Sequence, residues 1–279
     1  MADIDLLALP ALKDVIERFE LNPRKSLGQN FILDPQLLAK IVRVAGNLEN
    51  ITVIEIGPGP GGLTRELLRH GAKQVIAIEY DPRAIAALQG LVEMSNQRLT
   101  VYQGDALTLD WDKMLQGPAI LFGNLPYNIA TPLLLKWLPL FDRVHQAVLM
   151  FQKEVADRLV AVPRTKDYGR LSVMTQWRAS VEKCFDIGPK AFLPPPKVTS
   201  TVVRLRPKDY SVVPWAVMED LLKSAFGQRR KMLRQSLKSR GEKALEALRA
   251  LNIPETARAE ELTVDQFVRL ATILNDDET

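Results

Sequence analysis

The chain contains few of the residues that build disulfide frameworks and metal centres. Its 279 residues include one cysteine, Cys184, and two histidines, His70 and His145, which lie far apart in the sequence. A single cysteine excludes an internal disulfide framework and a multi-cysteine metal site, and it fits a reducing compartment. We therefore expect a cytoplasmic protein whose chemistry uses no metal.

The chain also lacks long apolar runs and a large excess of one charge. No uninterrupted apolar run approaches the roughly 18 residues that a membrane helix needs. The first five residues are acidic rather than basic, unlike a secretory signal. With 37 basic and 33 acidic residues the net charge is only +4, which is weak evidence for a nucleic-acid partner. The composition predicts an ordinary soluble protein with one large core and a smaller one.

The distribution of the basic residues is more informative than their total. Residues 228–240 contain no acid and six basic residues: Arg229, Arg230, Lys231, Arg234, Lys238 and Arg240. A second group comprises Lys183, Lys190, Lys197, Arg204 and Arg206. Although most charge runs are solvated helix faces, such concentrations in a nearly balanced protein favour a phosphate-contacting surface.

Strand-like and helix-like segments alternate through the first two thirds of the chain. Five apolar strand-like runs lie near residues 51–56, 74–79, 99–103, 119–123 and 146–151. Alternation with helices predicts an α/β fold with a doubly wound, mostly parallel sheet. Two further strands, 181–187 and 198–206, have no helix between them and predict a terminal hairpin, so the sheet has seven strands. Their connection, 188–197, carries four prolines and is expected to be irregular.

Helix signals complete this organisation. Asp34-Pro35, Asp81-Pro82 and Thr131-Pro132 each offer an N-cap residue followed by a first-turn proline. After Pro207 the pattern is helical only, with helices predicted at 215–226, 229–238, 243–251 and 263–274. Thr263 and Gln266 form a possible capping box for the last helix. We predict a sheet domain at residues 1–207 and a small all-helical domain at residues 208–279.

A glycine-rich turn and two acids follow the first three strands. Residues 51–56 run directly into Gly57-Pro58-Gly59-Pro60-Gly61-Gly62, where glycines let the backbone turn tightly and approach a ligand. The same glycine spacing fits a nicotinamide dinucleotide, so the glycines alone do not identify the cofactor. Glu79 ends the second strand and is placed to hold a ribose diol. Asp105 follows the third and could accept a hydrogen bond from an adenine amine.

Asn124-Leu125-Pro126-Tyr127 follows the fourth strand. An Asn side-chain oxygen and a nearby backbone carbonyl can both accept hydrogen bonds from one NH2 group. Pro126 stiffens the turn, and the Tyr127 ring can lie on a flat base. This set suits the exocyclic amine of a nucleobase, and with the preceding acids it favours S-adenosylmethionine over a nicotinamide. An ordinary strand-end turn is the alternative, because Asn and Pro are common in turns.

Several segments together resemble the ribosomal RNA adenine dimethyltransferases. They are Lys25-Ser26-Leu27-Gly28-Gln29-Asn30-Phe31, Glu55-Ile56-Gly57-Pro58-Gly59, Asn124-Leu125-Pro126-Tyr127, Phe192-Leu193-Pro194-Pro195-Pro196-Lys197-Val198 and Phe226-Gly227-Gln228-Arg229-Arg230-Lys231-Met232-Leu233. The match runs from about residue 22 to beyond residue 270. The last two segments are similar more narrowly to the bacterial small-subunit (16S) enzymes. Ile32 stands where the family usually has Leu, and the first twenty residues lie outside the resemblance.

The resemblance implies a Rossmann-like class I methyltransferase domain that uses S-adenosyl-L-methionine as the methyl donor. It implies a cofactor site comprising Asn30 and Ile32 at the methionine end, Gly57 beneath the donor, Glu79 on the ribose, Asp105 on the adenine amine, and Asn124 between cofactor and substrate. Asp81, another acid near a strand end, is interpreted as a helix cap. Glu55 and Asp110 are left unassigned.

The resemblance also implies the reaction and the partner. The expected reaction is dimethylation of the exocyclic amines of two adjacent adenines in a hairpin near the 3′ end of 16S rRNA. The substrate would be a small ribosomal subunit or its precursor, and the enzyme is expected to be a monomer. The Asn124 side-chain oxygen and the Leu125 carbonyl would accept hydrogen bonds from the amine. Tyr127 and Phe192 would stack on the two faces of the base, with core packing as the alternative for Phe192.

Three further interpretations concern the RNA and the class of protein. Arg229, Arg230 and Lys231 are expected to bind RNA phosphates, and docking of the two domains is the alternative. A related function is that of the large-subunit adenine methyltransferases that confer macrolide resistance. A different class is a non-catalytic ribosome-assembly or transcription factor built on the same fold.

Overall fold

A computed structural model of the chain describes residues 9–23, 28–208, 213–228 and 231–275. Contacts between Cα atoms divide the chain into two compact units. The first comprises Met1–Ala156 and Glu182–Arg206, and the second comprises Asp157–Val181 and Pro207–Thr279. This division differs from the single boundary expected near residue 207, because one internal segment groups with the carboxy-terminal helices.

The strands form one large and one small sheet. In chain order they are β1 (Phe31–Ile32), β2 (Thr52–Ile56), β3 (Gln74–Glu79), β4 (Leu99–Gln103), β5 (Ala119–Gly123), β6 (Val144–Gln152), β7 (Ala179–Ile187), β8 (Phe192–Leu193) and β9 (Ser200–Pro207). The large sheet has the order β4-β3-β2-β5-β6-β9-β7. Strands β2 to β6 pair in parallel, and β9 is antiparallel to β6. The predicted seven-stranded, mostly parallel sheet is therefore confirmed.

The small sheet was not predicted. Phe31 pairs with Leu193 and Ile32 with Phe192 in an antiparallel ladder, so the connection after β7 contains a strand and a short 3-10 turn, Pro189–Ala191. The expectation of an irregular connection was wrong over this stretch. Three of its four prolines follow Leu193 in the sequence, so Phe192 and Leu193 keep the backbone N–H groups that proline lacks.

Two of the three predicted Asp/Thr-Pro helix starts are observed. The helices before the second unit are α1 (Leu12–Arg18), α2 (Pro35–Arg43), α3 (Gly62–Arg69), α4 (Pro82–Met94), α5 (Trp111–Met114), α6 (Tyr127–Trp137) and α7 (Lys153–Val160), the last crossing the division between the units. Asp34 Oδ1 accepts from Gln36 N at 2.8 Å, and Asp81 Oδ1 accepts from Arg83 N at 3.1 Å. The third start, Thr131-Pro132, was wrong. The carbonyl of Pro126 accepts from Ile129 N and Ala130 N, so α6 begins at Tyr127 and Pro132 lies inside it.

The helices of the second unit are α8 (Arg170–Arg178), α9 (Trp215–Phe226), α10 (Leu233–Ser236), α11 (Gly241–Ala250) and α12 (Val264–Asn275). Trp177 of α8 stacks on Trp215 of α9, with ring centroids 5.7 Å apart, which explains why α8 groups with this unit. The predicted capping box is confirmed: Thr263 N donates to Gln266 Oε1 at 2.9 Å, and Gln266 N donates to Thr263 Oγ1 at 3.2 Å.

The predicted helix at 229–238 is shorter than expected. Residues 229 and 230 lie outside the described residues, Lys231 is a bend, and Met232 forms an isolated antiparallel bridge with Arg258. The backbone of Met232 is thus extended, and α10 starts at the next residue.

Two kinds of feature are absent from the described residues. No helix among them is long and apolar enough to cross a membrane. Nor do they contain a group of three or more His, Cys, Asp or Glu side chains placed to hold a metal ion.

Candidate active site

A cleft of about 260 Å³ opens at the carboxyl ends of the parallel strands in the first unit. Because β2, β3, β4 and β5 are parallel neighbours, the residues that follow them meet at one edge of the sheet. Two backbone bonds tie these ends together, from Gly57 N to Ile78 O and from Gly104 N to Glu79 O, both at 2.9 Å. Eight residues singled out from the sequence line the cleft: Asn30, Ile32, Gly57, Glu79, Asp105, Asn124, Leu125 and Tyr127.

The glycine-rich turn forms one wall of the cleft. Gly57 has φ +68° and no atom within 4 Å of where a Cβ would lie, so its backbone is open toward a ligand. Gly59 has φ +54°, and a Cβ there would lie 2.8 Å from the Phe31 ring. L-residues rarely adopt positive φ, so both positions favour glycine. The turn can therefore bring its backbone close to a bound molecule.

Glu79 is only 6% exposed, and backbone donors hold its carboxylate. Its Oε2 accepts from Gly59 N at 3.1 Å, and its Oε1 accepts from Tyr80 N at 2.7 Å and Asp81 N at 2.8 Å. Burial raises the pKa of Glu79, and these three hydrogen bonds oppose the shift. A carboxylate offers about four lone-pair sites, so about one remains for a ligand.

Glu55 is a site residue that the sequence reading left unassigned. It lines the cleft, is 1% exposed, and its Oε2 has no hydrogen-bond partner in the described part of the chain. Burial raises the pKa of Glu55 to about 8, the neighbouring Thr64 side chain lowers it, and the charge of Glu79 adds to the increase. Its position in an apolar strand, two residues before Gly57, was the available signal, because an acid in a buried strand is costly without a role.

Asp105 and Asp81 have different surroundings. Asp105 Oδ1 accepts from Leu107 N at 2.8 Å, and no donor to its Oδ2 is found among the described residues. Asp81 caps α4, as predicted, and also accepts from the Arg83 guanidinium at 2.6 Å and from Gln29 Nε2 at 3.3 Å. Its hydrogen bond with Arg83 lowers the pKa of Asp81. Asp105 thus retains a free acceptor, whereas Asp81 is fully engaged in structure.

Asn124 is oriented by a residue far away in the sequence. Its Nδ2 donates to the backbone carbonyl of Asn30 at 2.8 Å, and Asn30 Nδ2 donates to the carbonyl of Gly28 at 3.1 Å. This leaves Asn124 Oδ1 as an acceptor at the cleft, with no donor among the described residues. The Leu125 side chain is buried against Gly123, where an added Cβ would lie 2.7 Å from Leu125 Cδ2.

Tyr127 is half-buried at the start of α6, and its ring is held at the hydroxyl end. Tyr127 Oη lies 2.7 Å from Ser200 Oγ at the start of β9. Burial raises the pKa of Tyr127, and the hydrogen bond with Ser200 opposes the increase. The phenol is therefore neutral near pH 7, and its ring borders the cleft.

Phe192, expected to stack on a substrate base, packs in the core instead. It is 4% exposed and is not among the described residues that line the cleft. The ladder with Ile32 fixes the direction of its side chain, and both residues belong to one buried apolar cluster with Leu38 and Ile187. The expectation of base stacking is thus not met in this structure, and the alternative of core packing describes Phe192.

Some of the basic residues that were expected to form a phosphate-contacting surface are paired with acids. Arg229 and Arg230 lie outside the described residues, and the Lys231 side chain is exposed. Arg240 forms an ion pair with Asp220, and Arg204 forms one with Glu182. Asp220, which precedes Arg240 by 20 residues, therefore neutralises part of a stretch that carries no acid of its own.

The chain is similar to known proteins over nearly its whole length. A sequence profile described as ribosomal RNA adenine dimethylase matches residues 20–276. A protein named ribosomal RNA small subunit methyltransferase A from Xanthobacter autotrophicus is 52% identical over 272 residues, covering 94% of this chain and 93% of that protein. Its namesake from Sinorhizobium medicae is 50% identical, covering 98% of this chain and all of that protein.

Two solved structures share the fold over most of the chain. A dimethyladenosine transferase from Plasmodium falciparum superposes with a TM-score of 0.76 at 29% identity, covering 86% of this chain and 95% of its own. The 23S rRNA methyltransferase ErmE superposes with a TM-score of 0.67 at 28% identity, covering 88% of this chain and 100% of its own. The expected Rossmann-like class I methyltransferase fold is confirmed.

Proposed function

The chain belongs to the ribosomal RNA adenine dimethylase family, and we propose that it dimethylates the exocyclic amines of two adjacent adenines near the 3′ end of 16S rRNA. The methyl donor is S-adenosyl-L-methionine. The observation that carries this proposal is the Asn124 amide, which Asn30 orients at the cleft so that Oδ1 is available to an amine. The relatives named small subunit methyltransferase A, about half identical over nearly the whole chain, support the choice of RNA.

The residues of the cleft suit the methyl donor. The open backbone at Gly57 gives room for its reactive end, and the remaining acceptor capacity of Glu79 suits a ribose hydroxyl. The free Oδ2 of Asp105 suits the adenine amine of the cofactor, and Asn30 and Ile32, which line the same cleft, would hold the methionine end. When bound, the cofactor supplies an electrophilic methyl group on a sulfonium.

On the substrate side, the protein orients the amine rather than deprotonating it. The lone pair of an adenine amine is delocalised into the ring, so hydrogen bonds to Asn124 Oδ1 and the Leu125 carbonyl favour a pyramidal nitrogen. Each transfer would form an N–C bond, break the methyl C–S bond to leave a neutral thioether, and release one amine proton to solvent. Orientation and electrostatics in a site shielded from water provide most of the rate, and Tyr127 stacks on one face of the base.

The substrate is a small ribosomal subunit or its precursor, as the names of the relatives suggest. The target adenine must leave its stack to enter the cleft. Lys231, with Arg229 and Arg230, contacts RNA phosphates. The protein acts in the cytoplasm, where ribosomal subunits mature, and it acts as a monomer.

The large-subunit reaction is the main competing function. ErmE, a 23S rRNA methyltransferase, has the same fold at 28% identity, so fold does not discriminate. The relatives named for the small subunit are nearly twice as similar in sequence, which favours 16S rRNA.

A methyl-transfer assay on isolated subunits tests the proposal. Purified protein is incubated with methyl-labelled S-adenosylmethionine and with either small or large subunits from cells that lack the modification. Mass spectrometry of the digested RNA then detects N6,N6-dimethyladenosine. We expect label in small-subunit RNA only. Label confined to large subunits would instead identify the macrolide-resistance type of reaction, and no label with intact cofactor binding would indicate a non-catalytic factor.

Asn124→Ala is the control for contaminating activity. The substitution removes the acceptor that orients the amine, and loss of one such interaction lowers the rate on the order of 10²–10³-fold. Circular dichroism shows whether the variant is folded. A single-turnover rate equal to that of the wild type would remove Asn124 from the mechanism.

A further inference from the structure

The Tyr127 ring is held at both ends. At its backbone end, Tyr127 follows Pro126, whose carbonyl accepts from Ile129 N and Ala130 N in the first turn of α6. At its other end, the hydroxyl lies 2.7 Å from Ser200 Oγ. Because Oη lies on the long axis of the ring, a hydrogen bond there fixes the direction of that axis and with it the χ1 rotamer of Tyr127.

Ser200 provides a rigid anchor for that hydroxyl. It has no exposed surface, begins β9, and pairs with Gln152 of β6 inside the large sheet. The preceding residue, Thr199, accepts a backbone hydrogen bond from Lys153 N at 2.9 Å. The position of Ser200 is therefore set by the sheet and not by the proline-rich connection that leads to it.

The Tyr127–Ser200 bond is informative because stacking alone does not need a hydroxyl. A phenylalanine would offer the same ring face, and a half-buried phenol without a partner would cost free energy. Ser200 itself is not among the described residues that line the cleft. Its hydroxyl thus reaches the cleft only through Tyr127.

We propose that Ser200 is a positioning residue that holds the Tyr127 side chain in the χ1 rotamer that places its ring over the target adenine. This inference rests on the proposed function, because it concerns how the same cleft orients its RNA base. Ser200 touches neither the base nor the cofactor in this scheme. Removing its hydroxyl leaves the Tyr127 backbone in place but lets the side chain adopt other χ1 rotamers, so productive stacking becomes less frequent.

A double-mutant cycle tests the proposal on small ribosomal subunits. The variants are Ser200→Ala, Tyr127→Phe and the two combined, each assayed for kcat/KM with subunits as the varied substrate. A neutral hydrogen bond contributes about 0.5–1.5 kcal/mol, so each single variant should lose activity by about two- to tenfold. The double variant should lose no more than either single variant, because both changes break one bond.

Two further variants separate positioning from a general effect on the sheet. Thr201, the next residue of β9, donates its hydroxyl to Asp186 Oδ1 at 2.7 Å and is likewise buried. Thr201→Val removes a buried hydroxyl from the same strand without touching Tyr127, and it should keep wild-type activity. Ser200→Thr retains a hydroxyl and should restore activity. Calorimetric affinity for S-adenosylmethionine should be the same in all variants.

Several outcomes would overturn the proposal. Losses that multiply in the double variant would show that the two residues act independently. If Thr201→Val lowered kcat/KM as much as Ser200→Ala, the loss would reflect a weakened sheet and not the position of Tyr127. If Ser200→Ala does not fold, the Tyr127→Phe variant alone still tests the proposal. Full activity of Tyr127→Phe would overturn it, because the Tyr127 hydroxyl would then be dispensable. Wild-type protein that binds cofactor but does not methylate small subunits would overturn the proposed function as well, which distinguishes the two failures.

Discussion

The glycine-rich edge of the sheet, where β2, β3 and β4 end, and the proline-rich connection, residues 188–197, direct their side chains by different means. At the glycine-rich edge, Glu55, Glu79 and Asp105 sit on or just after parallel neighbouring strands and all line the cleft. In the connection, Phe192 turns into the core because its backbone pairs with Ile32. The ends of neighbouring parallel strands lie at the same edge of the sheet. The direction of the Phe192 side chain depends instead on Ile32, a partner about 160 residues away.

The two parts also differ in how polar groups are satisfied. Glu79 is buried with three backbone donors, while the nearby Glu55 is buried with one oxygen unpartnered. The connection places an apolar side chain in the core and needs no such partners. Substitutions at the glycine-rich edge should therefore affect ligand binding and pH dependence, and those in the connection should affect folding.

The largest effect is expected for Phe192→Ala. Loss of a buried Phe side chain costs about 3–5 kcal/mol in the free energy of unfolding, and chemical denaturation would measure it. Leu193→Ala is the matched control, because the neighbouring Leu193 is 43% exposed against 4% for Phe192. The stability of this variant should change much less. If Phe192→Ala were as stable as the wild type but did not methylate RNA, Phe192 would belong to the substrate site. The contrast between the glycine-rich edge and the connection would then disappear.

Glu79→Gln should weaken S-adenosylmethionine binding. The charge-assisted hydrogen bond to a ribose hydroxyl is lost, which costs roughly 1.5–3 kcal/mol, or about tenfold to a hundredfold in Kd. Isothermal titration calorimetry measures this directly. Glu93→Gln, on the exposed face of α4, is the control and should bind normally. Equal affinities for the two variants would mean that Glu79 serves only to fix the glycine-rich turn.

Glu55→Gln should change how stability depends on pH. The native state keeps the Glu55 proton up to a pKa of about 8, whereas the unfolded chain releases it near the ordinary value of 4.5. Between these pH values the unfolded state binds fewer protons, so stability falls as pH rises through this window. For one proton the fall is about 1.4 kcal/mol per pH unit.

In Glu55→Gln this contribution should disappear. The difference in unfolding free energy between variant and wild type should therefore increase by about 1.4 kcal/mol from pH 6 to pH 7. Urea denaturation at both pH values measures it, with Glu93→Gln as the control. A difference independent of pH would indicate that Glu55 is ionised in the native state.

The smallest effect is expected for Lys231→Ala. If Lys231 contacts one RNA phosphate, the log–log salt dependence of subunit binding should flatten by about 0.7–0.9, and cofactor affinity should not change. Lys113→Ala is the control, because that exposed lysine pairs with Asp110 at 3.1 Å. A lower melting temperature with an unchanged salt slope would assign Lys231 a structural role, the alternative considered from the sequence.

The sequence by itself determined the alternation of strands and helices, the Asp34 and Asp81 caps, the Thr263–Gln266 box and the acids at the strand ends. These features depend on residues a few positions apart, and the parallel sheet then brings the strand ends together. The start of α6 was misplaced because Pro132 resembled a first-turn proline, while the turn after Pro126 had already begun the helix.

Only the tertiary structure decided which side chains face the cleft from irregular segments. The inward turn of Phe192, the Asn30 carbonyl that orients Asn124, the anchoring of Tyr127 by Ser200 and the grouping of α8 with α9 all depend on contacts between distant parts of the chain. Periodicity and turn composition indicate the local preference of the backbone. They do not show which residues, more than 30 positions away, folding brings into contact. That is why the strand-end residues could be named in advance and Ser200 could not.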